Sequence, residues 1–413
     1  MPSSPTPRLR TLSLVILVGL ATLILVSAAS NLGLKTTSEN PGQLSGPQKA
    51  RAAEAFSLRG TLGEDIWPGW GKEPIPQILY NESYAFLLHL EDPEPGWYSE
   101  PGHLRRGGPW EPVPDDSLLG SVYYRQRLDS PEAGPQAFAV RVGDGWAGSM
   151  ATQEWARIDL GRRLRGQLPP LLEWIPPYRL LARLFFRDAE HQISLILHES
   201  FHAFQGREAE ARFSAAERIM AVAEEYPWEL EELEEGWAQE LDLLAEALVR
   251  DSPSESRALA RDFLAVRQSR RSGMPPKLAA FEEEREWLEG LAKYVEIKSL
   301  LVARKASLPP GSEGMEKISW AAEDLTAGFY VPHAALVDDP GFNAYRGAAE
   351  VFLREAAQIR RMAGQGEGRF YYSGMALAFL LDRFGPSDWK LRAMQDPVSL
   401  DALLAHALGE VEE

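Results

Sequence analysis

The pentapeptide His198-Glu199-Ser200-Phe201-His202 carries the residue types and the spacing that can do chemistry. On a helix, positions four apart share a face, so both imidazoles can aim at one point. Two neutral imidazoles one turn apart supply half of a tetrahedral zinc site. Glu199, next to the first of them, can touch a metal-bound water without being a ligand, which is where a general base is needed. This pattern arises by accident in roughly one chain of this length in a hundred. Its surroundings sharpen it. From Ile193 to Gln205 the one charged residue is Glu199, and Ile193, Leu195, Ile196, Leu197, Phe201, Ala203 and Phe204 make the stretch apolar nearly all round. Such a helix is buried, and polar groups inside it need partners, because an unpaired one costs roughly 2–7 kcal/mol. The other reading of the same residues is a pair of hydrogen-bonded core histidines.

A catalytic zinc ion needs a third protein ligand and an open position. Glu289 is the candidate, in Trp287-Leu288-Glu289-Gly290-Leu291-Ala292-Lys293-Tyr294-Val295-Glu296. Gly290 and Ala292 are small, so a helix carrying them could come close to the histidine helix. Glu289 also reads as one more member of the acidic run Glu282, Glu283, Glu284 and Glu286.

His-Glu-x-x-His followed by a distal Glu-Gly-x-Ala segment resembles the gluzincin metallopeptidases, and within them the membrane alanyl aminopeptidase and leukotriene-A4 hydrolase group. The resemblance implies zinc on His198, His202 and Glu289, Glu199 as the base, and hydrolysis of peptide bonds in a peptide or protein substrate. That group also carries Tyr-x-x-Gly at the start of an apolar helix. Tyr371-Tyr372-Ser373-Gly374 matches it and leads into Met375-Ala376-Leu377-Ala378-Phe379. By the resemblance Tyr371 donates a hydrogen bond to the oxyanion, with Tyr372 the alternative if the register slips by one. Three departures stand out. The family's glutamate follows the second histidine by about five helical turns, whereas 86 residues intervene here. Lys293 stands where thermolysin-like relatives have an acidic residue, and Glu296, one turn on, is the substitute for orienting a ligand. The glutamate with which the aminopeptidases grip a substrate amine has no counterpart in Gly148-Ser149-Met150-Ala151-Thr152, which reads as a loop. Two other functions stay open. One is hydrolysis of epoxides, esters or other non-peptide substrates by the same zinc–water unit. The other is a membrane-tethered binding or quality-control protein with a non-catalytic zinc site.

The elements that must position these residues read as α+β. Residues 31–51 are rich in Ser, Gly, Pro and Thr and read as a linker. Residues 52–187 read as a mixed α/β region with short strands, among them Ala137 to Val142 and Trp155 to Leu160, ending in a loop and short helix over Leu168 to Phe186. From Asp188 to the end the pattern is helical, a zincin-like catalytic region (188–413) that begins with the histidine helix. Residues 207–271 form a helical insert of three stretches broken at Tyr226-Pro227 and at Asp251-Ser252-Pro253-Ser254. The charge run Glu229 to Glu235 reads as a solvated helix face. The insert's acidity could also wall a substrate cleft and favour basic substrates.

Composition bounds the partners. The 413 residues are 45% hydrophobic and 25% charged, as in a globular protein, and the formal net charge of -17 disfavours nucleic acid. With no cysteine, a metal site here must use imidazole and carboxylate. Thr11 to Ala29 is an uncharged apolar run preceded by Arg8 and Arg10. It predicts a membrane anchor within residues 1–30 and an extracytoplasmic location, with secretion if the chain is cut near Ser27-Ala28-Ala29.

Overall fold

The computed structural model describes residues 7–99, 104–136, 138–170, 172–186, 188–308, 320–321, 328–339 and 341–409. Its architecture is mixed: an eight-stranded sheet in the first part of the chain and a mainly helical remainder.

Helix α1 (Pro7–Ser30) comes first. Among the described residues no helix is long and apolar enough to cross a membrane. This overturns the expected N-terminal anchor, on which the extracytoplasmic placement rested. The end of α1 is tied to the chain itself. Ser27 donates to the carbonyl of Ile175, and the Asn31 amide donates to the carbonyls of Trp174 and Pro176 at 2.9 and 2.7 Å.

The expected linker gives way to helix α2 (Gly46–Ile66) five residues before its predicted end. Ser45 caps α2 in a reciprocal capping box with Gln48, and Pro47 in the first turn suits the start of a helix. Its buried face includes Ala52, Ala55, Leu58, Leu62 and Ile66. These belong to the same core as the histidine helix, so α2 is part of the helical body.

The sheet contains β1 (Gln77–Tyr80), β2 (Tyr84–Leu88), β3 (Trp97–Ser99), β4 (Leu104–Arg106), β5 (Glu111–Pro112), β6 (Tyr124–Arg127), β7 (Phe138–Val142) and β8 (Gly145–Ala151). Their order is β4-β3-β7-β8-β1-β2-β6-β5, antiparallel throughout except between β1 and β8. Side chains alternate across it as the strand period requires. Leu79, Phe86, Leu88, Ala139, Trp146 and Met150 enter the core shared with the helices. Ile78, Ala85, Leu87, Val140, Val142 and Ala147 join Trp97, Trp110 and Leu128 on the other face. Of the strand expected over Ala137 to Val142, Ala137 lies outside the described residues.

The other expected strand, Trp155 to Leu160, is a helix: α3 (Gln153–Gly166). Trp155 and Ile158 are its buried pair, three apart rather than two. Asp159 pairs with Arg162 and Arg163 at 2.8 and 2.6 Å, contacts that a helical turn brings together and a strand does not. Thr152 caps its start. A loop and α4 (Tyr178–Phe185) follow.

The helical part is α5 (Ala189–Glu208), α6 (Glu210–Arg218), α7 (Glu231–Val249), α8 (Pro253–Arg271), α9 (Pro276–Arg285), a π-helical turn (Glu286–Gly290), α10 (Leu291–Ala306), α11 (Ala348–Ile359), α12 (Gly368–Phe384), α13 (Trp389–Gln395) and α14 (Leu400–Leu408). The two breaks inside 207–271 separate α6, α7 and α8. Glu229, Glu231, Glu232, Glu234 and Glu235 are exposed, while Leu233 and Trp237 point into the core.

Candidate metal centre

Helix α5 begins at Asp188, whose carboxylate accepts from the backbone N–H of His191 at 2.9 Å. One side of the helix lies against the sheet. A Cβ on Gly148 of β8 would stand 2.8 Å from the carbonyl carbon and oxygen of Glu199, so only glycine lets this strand pass the motif's backbone. The segment read as a loop, Gly148 to Thr152, is thus largely an interior strand between β7 and β1. Its Ser149 hydroxyl donates to the carbonyls of Gln136 and Phe138 at 2.6 and 3.1 Å.

The second half of the site comes from the continuous run α9, π turn and α10. A π turn takes an extra residue into the helix and is a recurrent feature of functional sites. Close approach at Gly290 was expected toward the histidine helix. Instead Gly290 faces α12. A Cβ there would lie 2.4 Å from the Cα of Gly374, and one on Gly374 would lie 2.4 Å from the carbonyl oxygen of Glu286. Two facing glycines let the π turn and α12 touch backbone to backbone.

This packing brings the expected residues together. His198 Nε2 and His202 Nε2 are 3.1 Å apart. Glu289 Oε2 lies 3.3 Å from His202 Nε2 and 3.7 Å from His198 Nε2. The three side chains are buried, and their donor atoms all lie within 4.8 Å of one another. Ligand bonds of about 2.0–2.2 Å at tetrahedral angles place donor atoms roughly 3.3–3.6 Å apart, so the observed spacings fit a small dication. Among the described residues this is the one such group.

His202 and Glu289 are hydrogen-bonded from behind, and the far side of the His198 ring faces a carboxylate. His202 Nδ1 meets Gln205 Oε1 at 2.9 Å. His198 Nδ1 is 3.3 Å from Glu296 Oε2, whose other oxygen accepts from Lys293 at 2.8 Å. Glu289 Oε1 accepts from Arg285 at 2.9 Å. Phe138 of β7 packs on the His202 ring with centroids 4.7 Å apart. Glu199 is buried, and its Oε2 has no hydrogen-bond partner among the described residues.

The electrostatics of this cluster call for positive charge. Burial works against a charged His198 imidazole, yet Glu289 and Glu296, with Glu199 nearby, push its pKa up to about 10. Burial also raises Glu199, to about 8, with His198 opposing and Glu289 and Glu296 adding to the rise. Burial lowers His202. Against the same cost of burial, His202, His198 and Arg285 hold Glu289 well below the usual carboxylate range. Lys293 above all, then His198, do likewise for Glu296.

The two tyrosines divide. The Tyr371 ring lies parallel to that of His198 at 6.2 Å, and burial and the Glu289 carboxylate beside it raise its pKa. Tyr372 points elsewhere. Its hydroxyl donates to Glu355 at 2.8 Å, and the Lys293 ammonium lies 5.7 Å from its ring. Successive helical residues are 100° apart, so only one of the two can face the cluster.

Comparison with family models, with curated proteins and with solved structures finds no match to this chain. The functional reading therefore rests on the site itself. Sequence reasoning missed two of its residues, Gln205 and Arg285. Helical spacing holds the signal that finds them: Gln205 follows His202 by three positions and Arg285 precedes Glu289 by four.

Proposed function

We propose that the chain is a zinc-dependent hydrolase of peptide bonds, with a zincin-like pairing of a histidine helix and a glutamate helix. The observation that carries this reading is the convergence of His198 Nε2, His202 Nε2 and Glu289 Oε2 near the buried carboxylate of Glu199, one oxygen of which has no partner among the described residues. These three donors would hold the ion, and an all-nitrogen-and-oxygen set of three is that of a catalytic rather than a closed structural site. Bound zinc supplies a water of lowered pKa and polarises the scissile carbonyl.

The chain's own groups do the rest. Glu199 accepts a proton from the attacking water as the new C–O bond forms, then gives that proton to the departing amine nitrogen as the C–N bond breaks. The Tyr371 hydroxyl donates to the carbonyl oxygen as negative charge gathers there. Glu296 and Gln205 keep the two imidazoles turned toward the cluster. The partner is a peptide or protein substrate, and a net charge of -17 disfavours nucleic acid.

Purified Glu199→Gln is the test. It should retain stoichiometric zinc and lose hydrolysis across a panel of peptides, whereas His198→Ala should lose both. Full activity in Glu199→Gln would refute the assigned role. Turnover of esters or epoxides with none of peptides would move the reading to a non-peptide hydrolase. Wild-type protein that holds zinc yet turns over no substrate would favour a non-catalytic metal module.

A further inference from the structure

Gln205 belongs to no motif of the proposed site, yet it touches both of the segments that form it. It is fully buried, one turn beyond His202 on α5. Its Oε1 lies 2.9 Å from His202 Nδ1. Its Nε2 donates to the carbonyls of Trp287 and Leu288, at 2.9 and 3.2 Å. Those two carbonyls lie in the π turn that carries Glu289.

Hydrogen-bond polarity fixes the direction of this chain. Backbone carbonyls only accept, so the amide's NH2 must face them. The amide oxygen must then face His202, and Nδ1 must carry the proton to donate to it. That leaves His202 Nε2 with a bare lone pair pointing at Glu289 and His198, the form in which an imidazole binds a cation. Only a side-chain amide meets both demands at once. A carboxylate at 205 would accept from Nδ1 but face two carbonyl oxygens with a negative charge. An apolar side chain would leave a buried Nδ1–H and two buried carbonyls short of a partner.

We infer that Gln205 is the positioning residue of the centre: one amide sets the His202 tautomer and clamps the Glu289 turn to the histidine helix. The inference rests on the metal-centre reading for its effect on zinc, but the tautomer and the clamp are properties of the protein alone.

Two measurements test it. First, zinc affinity by chelator competition for wild type, Gln205→Met and Gln205→Glu. Losing an orienting partner of a ligand typically weakens metal binding 10–100-fold. Both variants should fall at least that far, and Gln205→Glu should not be rescued by its closer likeness to the ligand-orienting carboxylates. Wild-type affinity in folded Gln205→Met, or in Gln205→Glu, overturns the clamp. Second, the ring-nitrogen NMR spectrum of His202 in the metal-free wild-type protein, assigned with His202→Gln. A proton on Nδ1 is expected and one on Nε2 overturns the inference, whether or not the variants fold. If the wild type binds no zinc but its His202 shows the Nδ1–H form, the metal reading fails and the structural role of Gln205 stands.

Discussion

Arg285 donates to one oxygen of Glu289 while the other oxygen faces His202, at 2.9 and 3.3 Å respectively. The four-residue spacing puts Arg285 and Glu289 on one helical face, and the arrangement leaves a single oxygen for the cluster. Arg285 also reaches Glu367 at 2.9 Å, ahead of α12. Glu289→Ala should therefore weaken zinc binding by orders of magnitude, and Arg285→Met should weaken it by roughly 10–100-fold while leaving some binding. Glu284→Ala is the control. Glu284 is partly exposed and pairs with Arg212 away from the cluster. Chelator competition on the three variants gives the ranking, and equal affinity in Glu289→Ala and Glu284→Ala would remove Glu289 from the ligand set. Glu286, although it belongs to the same acidic run, is unsuitable as a control. It is buried against Arg267 at 2.6 Å and accepts from Ser373, so its loss would damage the fold.

Tyr371 and Tyr372 separate the proposed oxyanion donor from its neighbour. Tyr371→Phe should lower kcat by about 10²–10³, the usual effect of removing one such donor, with zinc content unchanged. Tyr372→Phe should act through Glu355 and Lys293 and cost far less activity. Steady-state rates on a cleaved peptide decide between them, and the reverse order would shift the register by one residue.

A buried ion network predicts acid sensitivity. Glu282 accepts from Arg270 at 2.7 and 2.9 Å, from Arg271 at 2.7 Å and from the Tyr226 hydroxyl at 2.6 Å. Burial alone would raise its pKa, but these donors hold it at about 2. A carboxylate lowered on folding stabilises the protein above its unfolded value near 4.5, and that stability is lost as pH falls toward 2. Urea midpoints should therefore drop steadily below about pH 4.5. Glu282→Gln should be less stable than wild type at pH 7, by about 3–5 kcal/mol, since it strands buried guanidinium groups. The gap should narrow in acid. A constant gap from pH 7 to pH 3 would show that Glu282 is not the titrating group.

The glycine contact between the π turn and α12 gives a packing test. Gly374→Ala places a Cβ against the Glu286 carbonyl and the Gly290 Cα, at 2.4 and 2.7 Å, and should destabilise by about 1–3 kcal/mol. Because that contact holds the turn bearing Glu289, zinc affinity should fall with it. Gly60→Ala, in α2 with nothing within 4 Å of the added Cβ, should be neutral or stabilising. Chemical denaturation of the two variants in parallel checks the contrast. Unchanged stability in Gly374→Ala would mean that the helices can separate freely there.

Much of the site was legible because helices write their faces into local spacing. His198 and His202 share a face by being four apart, and Gln205 and Arg285 were readable by the same rule although motif matching passed over them. Glu296 was expected near a histidine, and it lies 3.3 Å from His198 Nδ1. Where local pattern failed, the period was ambiguous. Trp155 to Leu160 offers too few residues to tell alternation from a helical pair, and Thr152 with the Asp159–arginine contacts decides for a helix. The acidic run from Glu282 to Glu286 hides two buried members. Its partners Arg267, Arg270 and Arg271 lie on another helix, so nothing in the run itself marks Glu282 and Glu286 as buried.

From the amino-acid order alone follow the chemistry on offer and the local elements: two imidazoles and a carboxylate on an apolar helix, no thiol ligand, a glutamate and a tyrosine at helical positions downstream. Which of several acidic residues meets the histidines, and which of two adjacent tyrosines, was left to the tertiary structure. That choice is made by contacts between residues far apart in the chain, the Gly290–Gly374 approach and the Gln205 clamp on the π turn. Convergence of donor atoms within a few ångströms depends on how helices pack, and packing is set by side chains that local periodicity does not see.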